Sequence, residues 1–191
     1  MDSTPFVSSC IGKGQQAKVL RSDEGIGPRT SLRPELPEDL EFLYKLYAST
    51  RSEEMKLVPW DESQKEAFLR MQFQLQASHY HTYYPDASFD LILLEDVPIG
   101  RLYVDRKPDE MLLIDIALAP QHRGAGIGSF LLGTLLSEAA ARNVPVRIHV
   151  ERENPALRLY TRRGFKMIED KGVYLFMEWK PGSESTQAET A

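Results

Sequence analysis

The sequence predicts a single α/β domain on a mixed sheet, with its elements in the order βααβββαβαβ. Three observations predict it. A short β-rich run is followed by two segments with apolar residues at helical spacing, three β-rich runs then succeed one another across turns, and the C-terminal part alternates helix and strand. Runs joined by turns pair antiparallel, whereas a strand–helix–strand unit pairs parallel, so one sheet carries both patterns.

Composition bounds the rest. At 191 residues and 42% hydrophobic, the chain has the means for one core. Residues 1–29 are polar and aperiodic and predict a disordered leader, 30–180 form the domain, and 181–191, "PGSESTQAETA", predict a disordered tail. No run approaches the ~20 apolar residues of a membrane span, and no basic start precedes an apolar block, so no membrane partner and a cytoplasmic location are expected. A net charge of -5 excludes the broad basic footprint of a nucleic-acid binder. Cys10 stands alone, which rules out an internal disulfide and a cysteine-based metal site. A monomer or homodimer is expected.

The elements follow in order. "TSLRP" is a strand stopped by Pro34, and "PEDLEFLYKLYAST" is a helix opened by Pro37 and acidic residues, with Leu40, Leu43, Tyr44 and Tyr47 on one face. "DESQKEAFLRMQFQLQASHYHTYY" is a second helix to about Tyr80, capped by Asp61, with Phe68, Met71 and Leu75 as its apolar stripe. Met71 and Phe73 read as core. His79 and His81 stand two apart, the wrong spacing for metal ligands on one helix face. "SFDLILLEDVPIGRLYVDR" is a hairpin turning at Glu95, Asp96 and Val97, and "EMLLIDIALAP" is a third, nearly all-apolar strand. Then come the apolar helix "SFLLGTLLSEAAARN", the strand "PVRIHVE", the short helix "NPALRLYTRRG" and the strand "GVYLFMEWK".

Between the third antiparallel strand and the apolar helix lies "QHRGAGIGS", with glycines at 124, 126 and 128. The first turn of a helix offers unpaired N–H groups and the positive end of a dipole, and glycines let a phosphate approach that backbone. One glycine would suffice for a tight turn. A pyrophosphate ligand follows. "GAGIGS" also approximates a dinucleotide fingerprint, with Glu151 ending the next strand, but Pro120 to Arg123 intervene between strand and glycine and too few parallel units remain. No Gly-Lys-Ser/Thr ends the loop, so it is not a P-loop.

On these residues, Met111 to Lys180 resembles the GNAT family of N-acetyltransferases. "LAPQHRGAGIGSFLL" is similar to its acetyl-CoA signature, Gln/Arg-x-x-Gly-x-Gly/Ala, at Gln121, Gly124 and Gly126; "NPALRLYTRRGF" is similar to its late motif at Asn154, Ala156, Leu159, Tyr160, Gly164 and Phe165. The resemblance implies an acyl-CoA N-acyltransferase fold whose sheet splays between the fourth and fifth strands. It implies acetyl-CoA as co-substrate with no metal: pantetheine pairs near Leu118, pyrophosphate lies on N–H groups from Arg123 through Gly124, Gly126, Ile127 and Gly128 to Ser129, and Asn154 joins the cofactor set. It implies direct attack of a small-molecule or peptide amine in a ternary complex, with Tyr160 protonating the leaving thiolate. The early strand position where some members carry a catalytic glutamate holds Leu112.

Asp115, a charge inside "LLIDIAL", is the first base candidate, and His149 and Glu151 are reserves. A hairpin centred near Lys107 and Pro108 would set Arg101 opposite Asp115, and a structural ion pair explains the charge equally well. The acceptor is expected at "RSEEMKLVPWD", where Glu53, Glu54 and Trp60 suit a cationic amine. A silent acetyl-CoA sensor on the same fold and a dinucleotide-binding oxidoreductase are the alternatives.

Overall fold

The computed structural model describes Lys18–Val19 and residues 30–182. The remaining leader and most of the tail, with the disorder expected of them, lie outside the described residues, as does Cys10. The strands are β1 (Lys18–Val19), β2 (Thr30–Pro34), β3 (Ser88–Leu94), β4 (Val97–Arg106), β5 (Met111–Leu118), β6 (Val146–Glu151), β7 (Lys166–Lys171) and β8 (Tyr174–Trp179). The helices are α1 (Leu40–Thr50), α2 (Ser52–Lys56), α3 (Glu62–Tyr83), α4 (Ile127–Arg142) and α5 (Leu157–Arg162). Short 3-10 turns stand at Pro37–Asp39 and Pro120–His122. The expected order holds, with three additions: β1, α2 and β7. All six residues of β7 are exposed, so its sequence carries no alternation to read. No helix among the described residues is long and apolar enough to cross a membrane.

One sheet runs β1-β2-β3-β4-β5-β6-β8-β7, antiparallel everywhere except β5–β6. Helices cover both faces. Ile127, Leu131, Leu132, Leu135, Leu136 and Ala139 of α4 pack on Leu102, Val104, Met111 and Leu113 in the larger core. On the opposite face Leu43, Tyr44 and Tyr47 of α1 meet Leu69 and Phe73 of α3 over Leu91 and Leu93. Phe73 sits edge-on to Tyr44 at 6.1 Å and 5.9 Å from Tyr47. The expected stripe of α3 is therefore corrected: Met71 and Leu75 are exposed, and the Leu69–Phe73 row four residues apart faces inward. Leu40 of α1 is exposed as well. Asp61 caps α3 as expected, accepting from Gln64 N–H at 2.8 Å while the Gln64 side chain accepts from Asp61 N–H at 3.1 Å.

The position of the site depends on β5. Period two would place Asp115 on the face of Leu113, inside the larger core. A bulge prevents this: Val104 pairs with Leu113 and Tyr103 with Asp115, so Ile114 is extra and the alternation resets. Ile116 and Leu118 then join the α4 core, and Asp115 turns toward α3. The same bulge corrects the expected register, since Tyr103 and not Arg101 stands opposite Asp115. The splay is present where expected. Met111–Leu113 pairs with Val146–Ile148, after which His149–Glu151 pairs only with β8 and Ile116–Leu118 only with β4.

At the entrance to α1, Asp39 accepts from Arg33 Nη1 and Nη2 at 2.6 and 2.8 Å and from Leu36 N–H at 2.8 Å. Those bonds, led by the Arg33 contact, outweigh desolvation and hold the Asp39 carboxyl below its ordinary value. A carboxyl with a depressed folded pKa adds stability that is complete above its unfolded pKa, about 4, and is lost as the pH falls through the folded value. Asp39→Asn is therefore expected to cost about 2–3 kcal/mol at neutral pH, and less as acid protonates the wild-type group. Urea midpoints at pH 7 and pH 3 check this; an equal loss at both would contradict it.

Candidate active site

The loop after β5 is built for close approach. Gly124 and Gly126 have φ of 75° and 83°, the left-handed region that favours glycine, and a Cβ on Gly124 would meet nothing within 4 Å. Packing therefore does not explain Gly124. Gly128 lies inside α4, where a Cβ would touch only Leu118 Cδ1 at 4.0 Å. Neither its helical backbone nor its neighbours demand glycine there. The first bond of α4 runs from Phe130 N–H to Gly126 C=O, so the amides of Ile127, Gly128 and Ser129 have no acceptor within the helix. Arg123 N–H donates to Pro120 C=O at 3.2 Å, closing the 3-10 turn, and the free amides begin after it. Arg163, which sequence reasoning passed over, brings a cation to the same turn by donating from Nη2 to Ser129 C=O and Oγ at 2.8 and 2.9 Å.

The splay offers a second surface. Ala119 N–H donates to Ile99 C=O, so alternation turns the amide and carbonyl of Leu118 away from β4, into the gap before β6. Tyr160 of α5 is 4% exposed, edge-on to Phe165 at 5.6 Å. Burial, and then the charge of Asp115, raise its hydroxyl above the usual phenol value and keep it protonated. Nothing hydrogen-bonds that hydroxyl among the described residues. Asn154 commits its side-chain oxygen to Ala156 N–H at 2.9 Å, shaping the turn into α5.

Asp115 sits in a network the sequence shows only in part. Arg101 Nη2 donates to Asp115 Oδ2 at 2.7 Å and to Gln76 at 2.9 Å, and the Tyr80 hydroxyl donates to the same Oδ2 at 3.2 Å. The ion pair of Arg101 and Asp115 is thus real, reached diagonally across the bulge and not by direct opposition. Behind it, the Tyr103 hydroxyl donates to Glu35, and His81 Nε2 lies 3.0 Å from Glu35. A cavity of about 30 Å³ lies among Arg101, Tyr80, Tyr103, Glu35 and His81, room for a single water. Arg101 Nε, which has no bond among the described residues, is the buried nitrogen beside it. Gln76 and Tyr80 went unnoticed because they follow the Leu69–Phe73 stripe of α3, not the one read from the sequence.

The remaining candidates disperse. His149 stacks on Phe176 at 4.3 Å on the open face of the sheet, and partial burial, with Lys171 adding to it, pushes its imidazole below the ordinary value. Glu151, at the lip of the splay, lies 3.5 Å from both the Tyr174 hydroxyl and Arg51 Nη2. Glu53 and Glu54 are answered locally, by Lys56 at 2.7 Å and Arg51 at 3.0 Å. Trp60 rests edge-on to Phe68 at 5.3 Å. No group of three or more His, Cys, Asp or Glu residues placed to hold a metal occurs among the described residues.

Residues 40–165 match the acetyltransferase (GNAT) family. No curated protein sequence is significantly similar to this chain. Among solved structures it is similar to the PaiA N-acetyltransferase of Thermoplasma acidophilum in complex with coenzyme A, at 22% identity and a TM-score of 0.59 over 79% of this chain and 98% of that one. It is similar to Arabidopsis thaliana Naa50 in complex with the bisubstrate analogue CoA-Ac-MVNAL, at 18% identity and a TM-score of 0.53 over 80% and 99%. It is also similar to the ribosomal-protein-S18-alanine N-acetyltransferase of Escherichia coli, at 17% and 0.56 over 84% and 99%.

Proposed function

Because the chain belongs to the acetyltransferase (GNAT) family, we propose that it is an enzyme that transfers the acetyl group of acetyl-CoA to a primary amine by direct attack in a ternary complex. The observation that carries this is the coincidence of three features: an opened strand edge at Leu118, free α4 amides under left-handed glycines, and a protonated hydroxyl on the largely buried Tyr160 of α5. Acetyl-CoA supplies an activated thioester carbonyl. The amides from Gly124 to Ser129, with Arg163 beside them, bind its pyrophosphate; the Leu118 backbone orients its extended arm; Asn154 shapes the turn that presents α5. Tyr160 gives its proton to the departing thiolate. Asp115 Oδ1, not engaged by Arg101 or Tyr80, accepts the proton of the attacking amine. His149 contacts Phe176 and takes no direct part. Glu151 and the ring of Tyr174 receive a cationic acceptor at the mouth, a small molecule or a peptide.

Acetyl-CoA at about 100 times its Kd should stabilise the fold by ~2.7 kcal/mol, read as a raised Tm, and NAD should give no shift. A shift with NAD alone would sink the assignment. Thiol release with a panel of amines separates a working enzyme from a silent binder. The loop is tested more sharply by Gly128→Ala. Its Cβ finds only ordinary contact with Leu118, so the helix should gain up to about 1 kcal/mol. The same methyl group stands toward the splay and should raise the acetyl-CoA Kd by roughly tenfold. Higher stability with unchanged affinity would show that the ligand does not pass there.

A further inference from the structure

Arg123 is placed to do something its neighbours in the loop do not. Its Nε donates to Leu118 C=O at 2.8 Å, and its Nη2 donates to Ser49 Oγ at 3.1 Å. Ser49 stands in the last turn of α1 and donates in turn to Leu46 C=O at 2.7 Å. The guanidinium therefore spans from the loop, over the end of β5, to the same end of α1 that leads through Arg51 to Glu151. The carbonyl it covers is the one that alternation points into the splay. That carbonyl would otherwise pair with an extended ligand lying along the open edge of β5.

We propose that Arg123 is a gate on the acyl-donor groove: its side chain caps Leu118 C=O and braces α1, and a pyrophosphate bound on the adjoining amides draws it off. The proposal rests on the acetyl-CoA reading above. Its physical basis is competition for one cation. A guanidinium pairs more strongly with phosphate oxygens than with a neutral carbonyl and a hydroxyl, and Gly124 and Gly126 put the amide cradle within one to three residues of it. The side chain is exposed, so it can swing without disturbing a core. A donor with a pyrophosphate opens the groove as it binds. A donor that has only the thioester arm must displace Arg123 unaided. The gate thus makes the nucleotide end of the donor a condition for binding the reactive end, and its release frees the Ser49 end of α1 at the same moment.

The test compares two probes, acetyl-CoA and S-acetylpantetheine, which keeps the acylated arm and lacks the pyrophosphate. Dissociation constants are measured by ligand-observed NMR on the full chain. Arg123→Ala is expected to bind S-acetylpantetheine about tenfold tighter than the wild type does, the effect of removing one charge-assisted bond that the arm must replace. Acetyl-CoA should bind the same variant no tighter, and up to about tenfold weaker, because the cation that met its phosphates is gone. Ser49→Ala loosens the gate without touching the loop, and should raise the association rate of acetyl-CoA a few-fold. Opposite signs for the two probes support the gate. Parallel weakening of both would make Arg123 an ordinary binding residue and overturn the proposal, and so would an unchanged affinity for S-acetylpantetheine. If the wild type binds neither probe, the acetyl-CoA reading itself fails, which is a different result from either.

Discussion

Methionine in place of Arg101 is expected to remove about 3–5 kcal/mol of folding stability, the cost of leaving a buried charge without its partner. The side chain of Arg101 is 5% exposed and that of Asp115 16%, and the guanidinium also holds Gln76 of α3. Removing it strands Asp115 between the sheet and α3 with, among the described residues, the Tyr80 hydroxyl alone to answer it. The pair is not for that reason a source of net stability. Desolvating two charges costs about as much as their attraction returns, so Arg101→Met combined with Asp115→Leu should recover to within about 1–2 kcal/mol of the wild type. Urea unfolding of the two single variants and the double variant gives the coupling directly. Additive losses would mean that the two side chains act independently and that Asp115 is not held in place by Arg101. Recovered stability with lost turnover would show why the pair is kept: it fixes the carboxylate whose charge reaches Tyr160.

What the sequence discloses and what it conceals follow from the range of the interactions involved. The conformation of the loop from Gln121 to Ser129 is legible because its determinants are local: left-handed glycines and a helix start lie within nine consecutive residues, just after a strand end. Tyr160 is legible for a similar reason, through the run from Asn154 to Phe165. The hairpin at Glu95 and Asp96 could be placed by its polar residues, and both take the positive φ of a tight turn. The surroundings of Asp115 are not legible in this way. They depend on one extra residue, Ile114, whose effect on alternation no composition reveals, and on which of two interleaved apolar rows of α3 meets α1. Tyr44 and Tyr47 settle that choice by packing on Phe73, and Tyr80 then arrives at Asp115 as a consequence. In the acidic segment 53–54 the partners are local instead, since Lys56 and Arg51 stand three residues from Glu53 and Glu54. Glu151, read as a reserve base, stands at the end of β6 beyond the residues that pair with β5.

Phenylalanine at Tyr160 should leave the fold and acetyl-CoA affinity nearly unchanged and lower kcat by about 10²-fold, the lower end of what positioned acid catalysis contributes. The ring is what the core requires: it is buried, edge-on to Phe165, and its hydroxyl bonds nothing among the described residues, so removing the oxygen leaves no partner unsatisfied. The lower end is expected because burial and the nearby carboxylate make this phenol a weaker acid than usual, and weaker than an alkyl thiol such as cysteine, whose pKa is about 8.5. Full transfer is uphill until the carbon–sulfur bond is largely broken, so much of the gain comes from hydrogen bonding to developing charge. The raised value also fixes a sign. Tyr160 stays protonated through neutral and mildly alkaline pH, so any loss of rate below about pH 10 belongs to another group and should persist in the variant. Single-turnover measurements separate chemistry from product release. A kcat within about threefold of the wild type, with release shown not to limit, would return Tyr160 to a packing role. A collapse of acetyl-CoA affinity instead would mean that the hydroxyl holds the donor and that a different acid, with its own proton supply, must face the sulfur.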